Sequence, residues 1–383
     1  MESQKLQRRY DIDWLRILAV LLLIPFHSAL IFVMDPNSIM YVKDTVYSPF
    51  LDTMASVIHQ FHMPLFFVLA GMASHMALGF RSAGKYLKER VLRLLVPAVF
   101  GIATLIPAMT YLTQLSQGKT PSFIDHYLGF FRLNGSDLAG YNGTLTPAHL
   151  WFILFLFVFS LIGLPLFIWL RKPLERRGGR FFGKPFALLL WGVPLTLASG
   201  LDILGDKNPI VYFLFFFVGF VIMTGGGCQK AINRDWVYYL PLAVLFEALR
   251  HLLPDYPDGT ALWAVTGLMQ TTNRLIMVLV LLGLGHRFLN GNGKAHKYLT
   301  EAAFPVYLLH LPVATFVAFF VIRMQTTVAV KYILIITAAT LLSFALYELF
   351  SRVGFLRFLM GMKKKSRQGA AAGLKGNTPT IDT

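Results

Sequence analysis

Long apolar runs alternate with short polar segments along most of this chain, from residue 13 to residue 351. A helix needs about 20 apolar residues to cross the hydrocarbon core of a bilayer. Ten runs approach that length, and each predicts one membrane span: 13–33, 50–79, 92–113, 149–170, 186–204, 210–228, 236–253, 261–285, 301–322 and 332–351. The pattern therefore predicts an all-α integral membrane protein with about ten transmembrane helices.

The composition agrees with a protein that lies within a bilayer. Of the 383 residues, 56% are hydrophobic and only 14% are charged, whereas soluble proteins carry about 25% charged residues. The mean hydropathy is +0.59. The single cysteine, Cys228, excludes an internal disulfide and a cysteine-based metal cluster. No small-residue cleavage site follows the first apolar run, so we expect no cleavable signal peptide.

The net charge of +16 is distributed unevenly across the predicted membrane. Alternation of the spans places most of the 35 Lys and Arg residues on the side of the N-terminus, including Lys5, Arg8 and the clusters at 81–93 and 171–184. This asymmetry follows the positive-inside rule, so we expect both termini in the cytoplasm. It also explains the basic charge without a nucleic-acid partner.

The chain divides into two predicted parts. Residues 1–355 contain all ten apolar runs and are predicted to form one polytopic membrane domain. Residues 356–383 are basic and lack hydrophobic periodicity, so we expect a disordered cytoplasmic tail.

Arg16 and His27 are ionisable residues within the first long apolar stretch, Trp14 to Val33, where such groups are costly and often functional. Eleven residues at about 100° each return to within roughly 20° of the starting direction, so both side chains share one helix face. The spacing also separates them by about 16 Å of rise. It predicts a cation near one membrane surface and, near mid-depth, an imidazole able to accept a proton.

Each of these residues also has a purely structural interpretation. His27 is as readily explained as a buried histidine bonded to a neighbouring helix, although Pro25 disrupts the local backbone and favours a cavity beside it. Arg16 follows Asp13 by three residues and lies near the membrane surface, so an ion pair or snorkelling explains it equally well.

Histidines also mark the second and fourth spans. His59 and His62 form an H-x-x-H pair, but no third ligand accompanies them at helical spacing, so we predict polar helix contacts and no metal. His149 and Trp151 lie at the predicted outer boundary of the fourth span, where an interfacial aromatic belt explains the tryptophan.

The eighth and ninth spans carry three more polar candidates. Asn273 and Arg274 lie deep in the eighth, where an arginine needs a partner. We predict that Arg274 either pairs with a carboxylate such as Glu247 or contacts substrate. His310 places another imidazole in the ninth span, and a structural role is the favoured interpretation.

A basic stretch between the second and third spans contains Arg90 and Arg93, three residues apart and hence neighbours on one helix face. Two guanidiniums at the cytoplasmic end of a span suit a phosphate or diphosphate. The alternative is an ordinary positive-inside anchor, which explains most such clusters.

Five segments, taken in chain order, resemble the signatures of the bacterial membrane-bound type-three acyltransferases. Arg16 and His27 match an arginine, ten residues, histidine pattern; FHMPLFFVLAGM resembles FFxxSG, KERVLRLLVP resembles R-x-x-R, HLWF resembles a fourth-span tryptophan segment, and FPVYLLHLPV resembles a Tyr-Leu-x-His segment. IPFHSALIF is most similar to the branch that succinylates periplasmic glucans. The usual Ser-Gly pair is Ala70-Gly71 here, so we expect that position to need only a small residue for close helix packing.

The resemblance implies an O-acyltransferase of the bacterial inner membrane. Cytoplasmic acyl-CoA would be the donor, with no tightly bound cofactor, and a hydroxyl of a periplasmic or cell-envelope glucan would be the acceptor. Succinyl is the first expectation for the acyl group and acetyl the second. His27 would be the general base, Arg16 would bind the donor or orient it near the thioester, and Arg90 with Arg93 would hold the CoA phosphates. The lipid bilayer is the surrounding partner, and a homo-oligomer is left open.

Two other classes of function are compatible with the residues themselves. A polytopic transporter or flippase would use the intramembrane His and Arg side chains as a proton or substrate path. A non-catalytic partner in envelope assembly is the third alternative, and the compact set of embedded polar residues favours it least.

Overall fold

The computed structural model describes residues 9–34, 40–201 and 203–363. Lys5, Arg8 and most of the predicted tail, residues 364–383, lie outside the described residues. Within those three ranges the regular structure is entirely helical and contains no strand. The predicted all-α class is therefore confirmed for the described part of the chain.

Twelve helices form this architecture in the described ranges. They are α1 (Tyr10–Leu30), α2 (Pro49–Leu78), α3 (Ala83–Ser116), α4 (Phe123–Phe130), α5 (Ala148–Phe181), α6 (Ala187–Ser199), α7 (Gly205–Met223), α8 (Gly226–Leu252), α9 (Ala261–Phe288), α10 (Lys294–Val321), α11 (Val328–Arg352) and α12 (Gly354–Leu359). Hydroxyl side chains accept backbone N–H groups at five of the starts, where a helix leaves its donors unpaired: Ser48, Ser82, Ser122, Thr260 and Thr327.

Eight of these helices are long and apolar enough to cross a membrane: α1, α2, α3, α5, α7, α9, α10 and α11. The other two predicted spans correspond to α6 and α8. Helix α6 is a short apolar helix that begins with a 3-10 segment, Ala187–Trp191. Helix α8 is long enough, but Lys230, Arg234 and Asp235 lie near its start and Glu247 near its end. The structure thus supports a multi-pass membrane protein with eight clear spans, and the cytoplasmic position of the termini stays a prediction.

The first helix lies at the centre of the bundle. Helix α1 packs against α2, α9, α10 and α11, and its apolar residues belong to the main hydrophobic core. We call the end of the bundle where α1 begins the basic end, and the opposite end the far end. Short connections at Gly79–Ser82 and Leu289–Gly293 return the chain at the basic end.

A close helix crossing joins α2 to α7. A Cβ added to Gly71 would lie 1.9 Å from the Phe216 carbonyl oxygen, and one added to Gly219 would lie 2.0 Å from the Val68 carbonyl oxygen. The two backbones approach this closely only because both positions are glycine. The predicted role of the Ala70-Gly71 pair in close helix packing is therefore confirmed at Gly71.

Candidate active site

His27 lies in the last turn of α1, well inside the bundle. Its ring centroid is 5.2 Å from that of His310, and His310 lies about 16 Å of helix rise before the end of α10 at Val321. The chain that follows α1 is also buried, since Ile31 and Phe32 are at most 1% exposed. Helix α1 therefore ends within the protein and presents His27 at depth.

Histidines from three helices meet around this position. The His310 ring also lies 5.1 Å from the ring of His149, which is edge-on to it. Phe26 packs against His62 at 4.5 Å, and His62 lies 5.5 Å from His59. The structure thus brings His27 and His149 each against His310, and links the two histidines of α2 to His27 through Phe26.

Backbone carbonyls orient two of the central rings. His310 Nδ1 lies 2.6 Å from the Tyr307 carbonyl oxygen, and His149 Nε2 lies 3.1 Å from the Leu308 carbonyl oxygen. A carbonyl only accepts, so each of these nitrogens carries the proton and donates it. The opposite nitrogens, His310 Nε2 and His149 Nδ1, are buried and have no hydrogen-bond partner within the described residues. Each ring therefore offers one free lone pair inside the site.

His27 is less constrained than its neighbours. Its Nδ1 is buried and unpaired within the described residues, while the side chain as a whole is half-buried and borders a cavity. A neutral imidazole has one donor and one acceptor nitrogen, so His27 can both receive a proton and release one.

A strained peptide precedes His149. Ala148 has φ = 45°, a left-handed conformation that is unfavourable for a residue with a Cβ. Two bonds hold it: the Thr146 hydroxyl accepts the Ala148 N–H at 3.1 Å, and the Tyr307 hydroxyl donates to the His149 carbonyl at 2.7 Å. These contacts fix the direction in which His149 enters the cluster.

A cavity of about 260 Å³ connects the histidines with the far end of the bundle. All five histidines line it, together with aromatic side chains and four polar residues from the starts of α2 and α7: Asp52, Ser56, Asp206 and Lys207. His59 and Asp206 are exposed, so the cavity opens at the far end. His27 is therefore accessible from that side. Arg16, at the opposite, basic end, does not line this cavity.

The cluster does not have the arrangement of a metal site. Within the described residues, no group of three or more His, Cys, Asp or Glu side chains is placed to hold a metal ion. The ring of His310 contacts those of His27 and His149 at centroid distances near 5 Å, and backbone carbonyls bind one nitrogen each of His310 and His149.

Arg16 lies at the basic end and makes the predicted local ion pair. Its Nη1 is 3.4 Å from Asp13 Oδ1, and 38% of the side chain is exposed. It also lies near enough to Arg90 for the two positive charges to repel each other. Arg16 has one carboxylate partner among the described residues, and the N–O distance to it is long for an ion pair. Two neighbouring guanidiniums of this kind are suited to a polyanionic ligand.

The side chains of Arg90 and Arg93 lie in different surroundings and do not form one binding pair. Arg90 donates to Ser74 Oγ at 2.9 Å and lies over the Tyr86 ring at 4.6 Å, whereas the Arg93 side chain is exposed. The reason is local geometry, because residues Val91–Leu95 are π-helical and turn by less per residue than an α-helix. The expectation that three residues of spacing place both on one α-helical face therefore fails here.

Trp151 faces the interior of the protein. Its ring lies 5.3 Å from Tyr212 and 6.2 Å from Phe67, and it lines the cavity. The interfacial-belt interpretation is wrong for this residue, because its ring packs inside the bundle against Tyr212 and Phe67.

Asn273 and Arg274 take different partners at the middle of α9. Asn273 Nδ2 donates to Glu247 Oε2 at 3.4 Å, and Arg274 Nε donates to Gln60 Oε1 at 3.2 Å. The predicted pairing of Arg274 with Glu247 is wrong, because that carboxylate is bound by Arg250 at 2.5 Å.

Several site residues carried little sequence signal. Tyr307 precedes His310 by one helical turn, and that spacing was a sign that both face the same neighbour. Gln60 and Tyr212 are isolated polar residues in apolar runs. Their contribution to the site depends on how α2 and α7 cross. The favoured structural interpretation of His310 is not supported, because His310 is in the cluster and its Nε2 has no partner within the described residues.

Comparisons with known proteins identify the family. The model of the acyltransferase domain family matches residues 9–348. The chain is 25% identical to glucans biosynthesis protein C of Salmonella schwarzengrund (strain CVM19633) and 26% identical to that of Salmonella paratyphi B (strain ATCC BAA-1250 / SPB7), over 98% of this chain and 100% of each relative. No solved structure matches the chain significantly. Because the family match covers most of its length, this protein belongs to the acyltransferase domain family, as the five sequence signatures predicted.

Proposed function

We propose that this protein is an inner-membrane O-acyltransferase that moves an acyl group from cytoplasmic acyl-CoA to a hydroxyl of a periplasmic glucan. Succinyl is the first choice for the acyl group and acetyl the second. The single observation that carries the proposal is the contact of His27 with His310 in a cavity that opens at the far end, in a member of an acyltransferase family.

His27 is the general base in this reaction. Its imidazole takes the proton of the acceptor hydroxyl as the oxygen attacks the thioester carbon. A new carbon–oxygen bond forms, the carbon–sulfur bond breaks, and the departing thiolate of CoA takes the proton from His27. The products are an ester on the glucan and free CoA thiol, and His27 returns to its neutral state.

His310 and His149 are positioning residues for that base. Both rings are held by carbonyl groups, and each keeps one unpaired nitrogen inside the cluster. Such a preorganised polar surface stabilises the imidazolium that His27 becomes during transfer. The two rings therefore favour proton uptake at His27 without exchanging protons with the substrate.

The acceptor would occupy the outer half of the cavity. Trp151, Tyr212 and Phe152 line it, and aromatic walls with a few polar groups are typical of a site that binds a sugar ring. The polar rim at Asp52 and Asp206 supplies hydrogen-bond acceptors for neighbouring hydroxyls.

The donor would bind at the basic end. Arg16 and Arg90 lie close together there, and guanidiniums recognise phosphate oxygens through paired hydrogen bonds. The phosphates of CoA would stay among these side chains while the pantetheine arm carries the thioester along α1 towards His27.

The test is the release of CoA thiol by purified protein supplied with succinyl-CoA or acetyl-CoA and a linear or cyclic glucan. We expect acceptor-dependent release from the unaltered protein, with the acyl mass appearing on the glucan by mass spectrometry. We expect no release from His27→Ala. His286→Ala is the matched control, because this histidine is 45% exposed at the basic end and should retain turnover. A protein that moves glucan across a membrane but leaves every acyl-CoA intact would instead be a transporter.

A further inference from the structure

Arg274 is a positive charge at the middle of the bundle. It lies about 20 Å of helix rise from the start of α9 at Ala261, and its side chain is partly buried. Its one hydrogen bond within the described residues is from Nε to Gln60 Oε1, at 3.2 Å. A neutral amide leaves the charge of the guanidinium uncompensated, which is costly at this depth.

The neighbouring charges, in contrast, are satisfied. Arg250 donates to Glu247 Oε1 at 2.5 Å and to Ser56 Oγ at 3.0 Å. The second oxygen of Glu247 accepts from Asn273, and His251 lies 3.3 Å from the first. Glu247 is thus fully engaged, and no carboxylate within the described residues forms an ion pair with Arg274.

The partner of Arg274 belongs to the same cavity as the proposed base. Gln60 lines the cavity together with His27, and α2 also contributes His59 and His62 to its wall. Arg274 is therefore one side chain removed from the space in which the acyl group is transferred. Asp52 and Asp206 lie at the far-end rim of this cavity, and within the described residues neither forms an ion pair with Arg274. An anion that passes Gln60 would therefore meet a guanidinium that still has free N–H donors.

We propose that Arg274, held in place by Gln60, binds the terminal carboxylate of a dicarboxylic acyl group while the thioester carbon of that group lies at His27. This inference rests on the proposed function and names its substrate class. A guanidinium and a carboxylate match in shape and charge, so bound substrate supplies the counter-ion that the protein lacks.

Two other parts of the substrates fit this position less well. The phosphates of CoA would stay at the basic end with Arg16 and Arg90, away from the far-end cavity that Gln60 lines. An unsubstituted glucan presents hydroxyl groups, which carry no charge to balance a guanidinium. The acyl group is the part of the reaction that must come next to His27, and a dicarboxylic acyl group brings a negative charge there.

The experiment measures kcat/KM for two donors of the same chain length, succinyl-CoA and butyryl-CoA, with glucan as acceptor. Butyryl replaces the terminal carboxylate by a methyl group. We expect the unaltered protein to prefer succinyl, and Arg274→Gln to lower the succinyl-to-butyryl ratio about 10- to 100-fold, as expected for loss of a charged hydrogen-bonded pair. Arg274→Lys keeps the charge without the planar geometry and should lose less of the ratio.

Gln60→Glu is an independent second variant. It places a carboxylate beside Arg274 and supplies the missing counter-ion from the protein itself. We expect it to accumulate and melt at least as well as the unaltered protein and to lose the preference for succinyl. The matched control is the double variant Arg250→Gln with Glu247→Gln, which removes a compensated pair from the same region and should leave the donor ratio unchanged.

The outcomes separate this inference from the proposed function. If the unaltered protein transfers neither acyl group, the proposed function is wrong and the carboxylate site falls with it. If transfer occurs but butyryl is used at least as well as succinyl, or if Arg274→Gln and Gln60→Glu leave the ratio unchanged, the carboxylate site alone is overturned. Equal losses with both donors would also overturn it, because they would make Arg274 a structural residue.

Discussion

The rings of His27 and His310 lie 5.2 Å apart, between the first helix of the chain and the tenth. The contact exists because α1 ends inside the bundle, where α10 passes it at mid-depth. A proton acceptor on α1 is thereby placed next to an imidazole whose own proton is committed to the Tyr307 carbonyl. The pair gives the proposed base an ordered polar neighbour that the first span alone does not contain.

This relationship predicts a graded response to amide substitutions at His310. Asparagine reproduces the position of Nδ1 and keeps the bond to Tyr307, while glutamine reproduces the position of Nε2. If His310 acts through Nε2, turnover of acyl-CoA should fall about 100-fold or more in His310→Asn and less in His310→Gln. Steady-state kinetics of both variants, at matched accumulation, check the order. The reverse order would assign the role to the Nδ1 bond.

The geometry at the basic end predicts unequal contributions from Arg90 and Arg93. Arg90 is ordered by Ser74 and Tyr86 and lies near Arg16, whereas Arg93 is exposed. We expect Arg90→Ala to raise the KM for acyl-CoA about 10-fold or more, since a charged hydrogen bond is lost. Arg93→Ala should raise it less, and the double variant should exceed both. Ser74→Ala should produce part of the Arg90 effect by releasing its guanidinium. If the KM for acyl-CoA is unchanged in the double variant, the two arginines do not bind the donor and serve only as positive-inside anchors.

The apolar runs predicted the eight helices that are long and apolar enough to cross a membrane, whereas the prediction of side-chain partners failed where the tertiary arrangement decides. The apolar runs and the intramembrane positions of His27 and Arg274 were readable, because burying a charge or an imidazole in lipid is costly wherever the helix packs. The partners of these residues were not readable. The partner of Arg274 is Gln60 and not the predicted Glu247, because Arg250 already binds that carboxylate. The π-helical turn after Arg90 could not be predicted either, because the spacing rule assumes an α-helix.

The crossing of α2 and α7 predicts strong intolerance to side chains at its two glycines. Gly71→Ala and Gly219→Ala should each lower the free energy of unfolding by about 1–3 kcal/mol, as overpacking of a core does, because the new Cβ meets a backbone carbonyl. Thermal melting in detergent measures the effect. Gly267→Ala in α9 is the control, since a Cβ there meets nothing within 4 Å and should stabilise the helix by about 0.4–1 kcal/mol. Equal melting temperatures for Gly71→Ala and the control would contradict the crossing.

The strained Ala148 predicts opposite effects of smaller and larger residues. Glycine adopts φ = 45° without a steric penalty, so Ala148→Gly should preserve turnover and stabilise the protein by up to about 1 kcal/mol. Ala148→Val adds β-branching at a left-handed position and should displace His149, with a large loss of kcat. Kinetics and melting of both variants test the assignment. Normal activity of the valine variant would show that the direction of His149 does not matter.

His126 predicts a pH response in the outer segment between α3 and α5. Burial lowers the pKa of His126, and the bond to the Pro107 carbonyl at 2.9 Å only partly offsets that effect. The neutral ring is therefore favoured in the folded state, so its contribution to stability is complete above the ordinary pKa of about 6.5 and is lost as the pH falls below it. Amide hydrogen exchange across residues 119–147, corrected for intrinsic rates, should show increased opening at pH 5 relative to pH 7. The dependence should weaken in His126→Gln, and an equal dependence in that variant would assign it to another group.

The glycine contact between α2 and α7 has a further consequence for how the molecule works. Two helices whose backbones touch cannot slide past each other, because any shift drives a carbonyl into the opposing chain. The wall of the cavity that carries His59 and His62 is thus joined to α7, so we expect the two helices to keep their positions relative to each other during the reaction. We expect the pantetheine arm with its acyl group to move towards His27, while α2 and α7 stay fixed relative to each other.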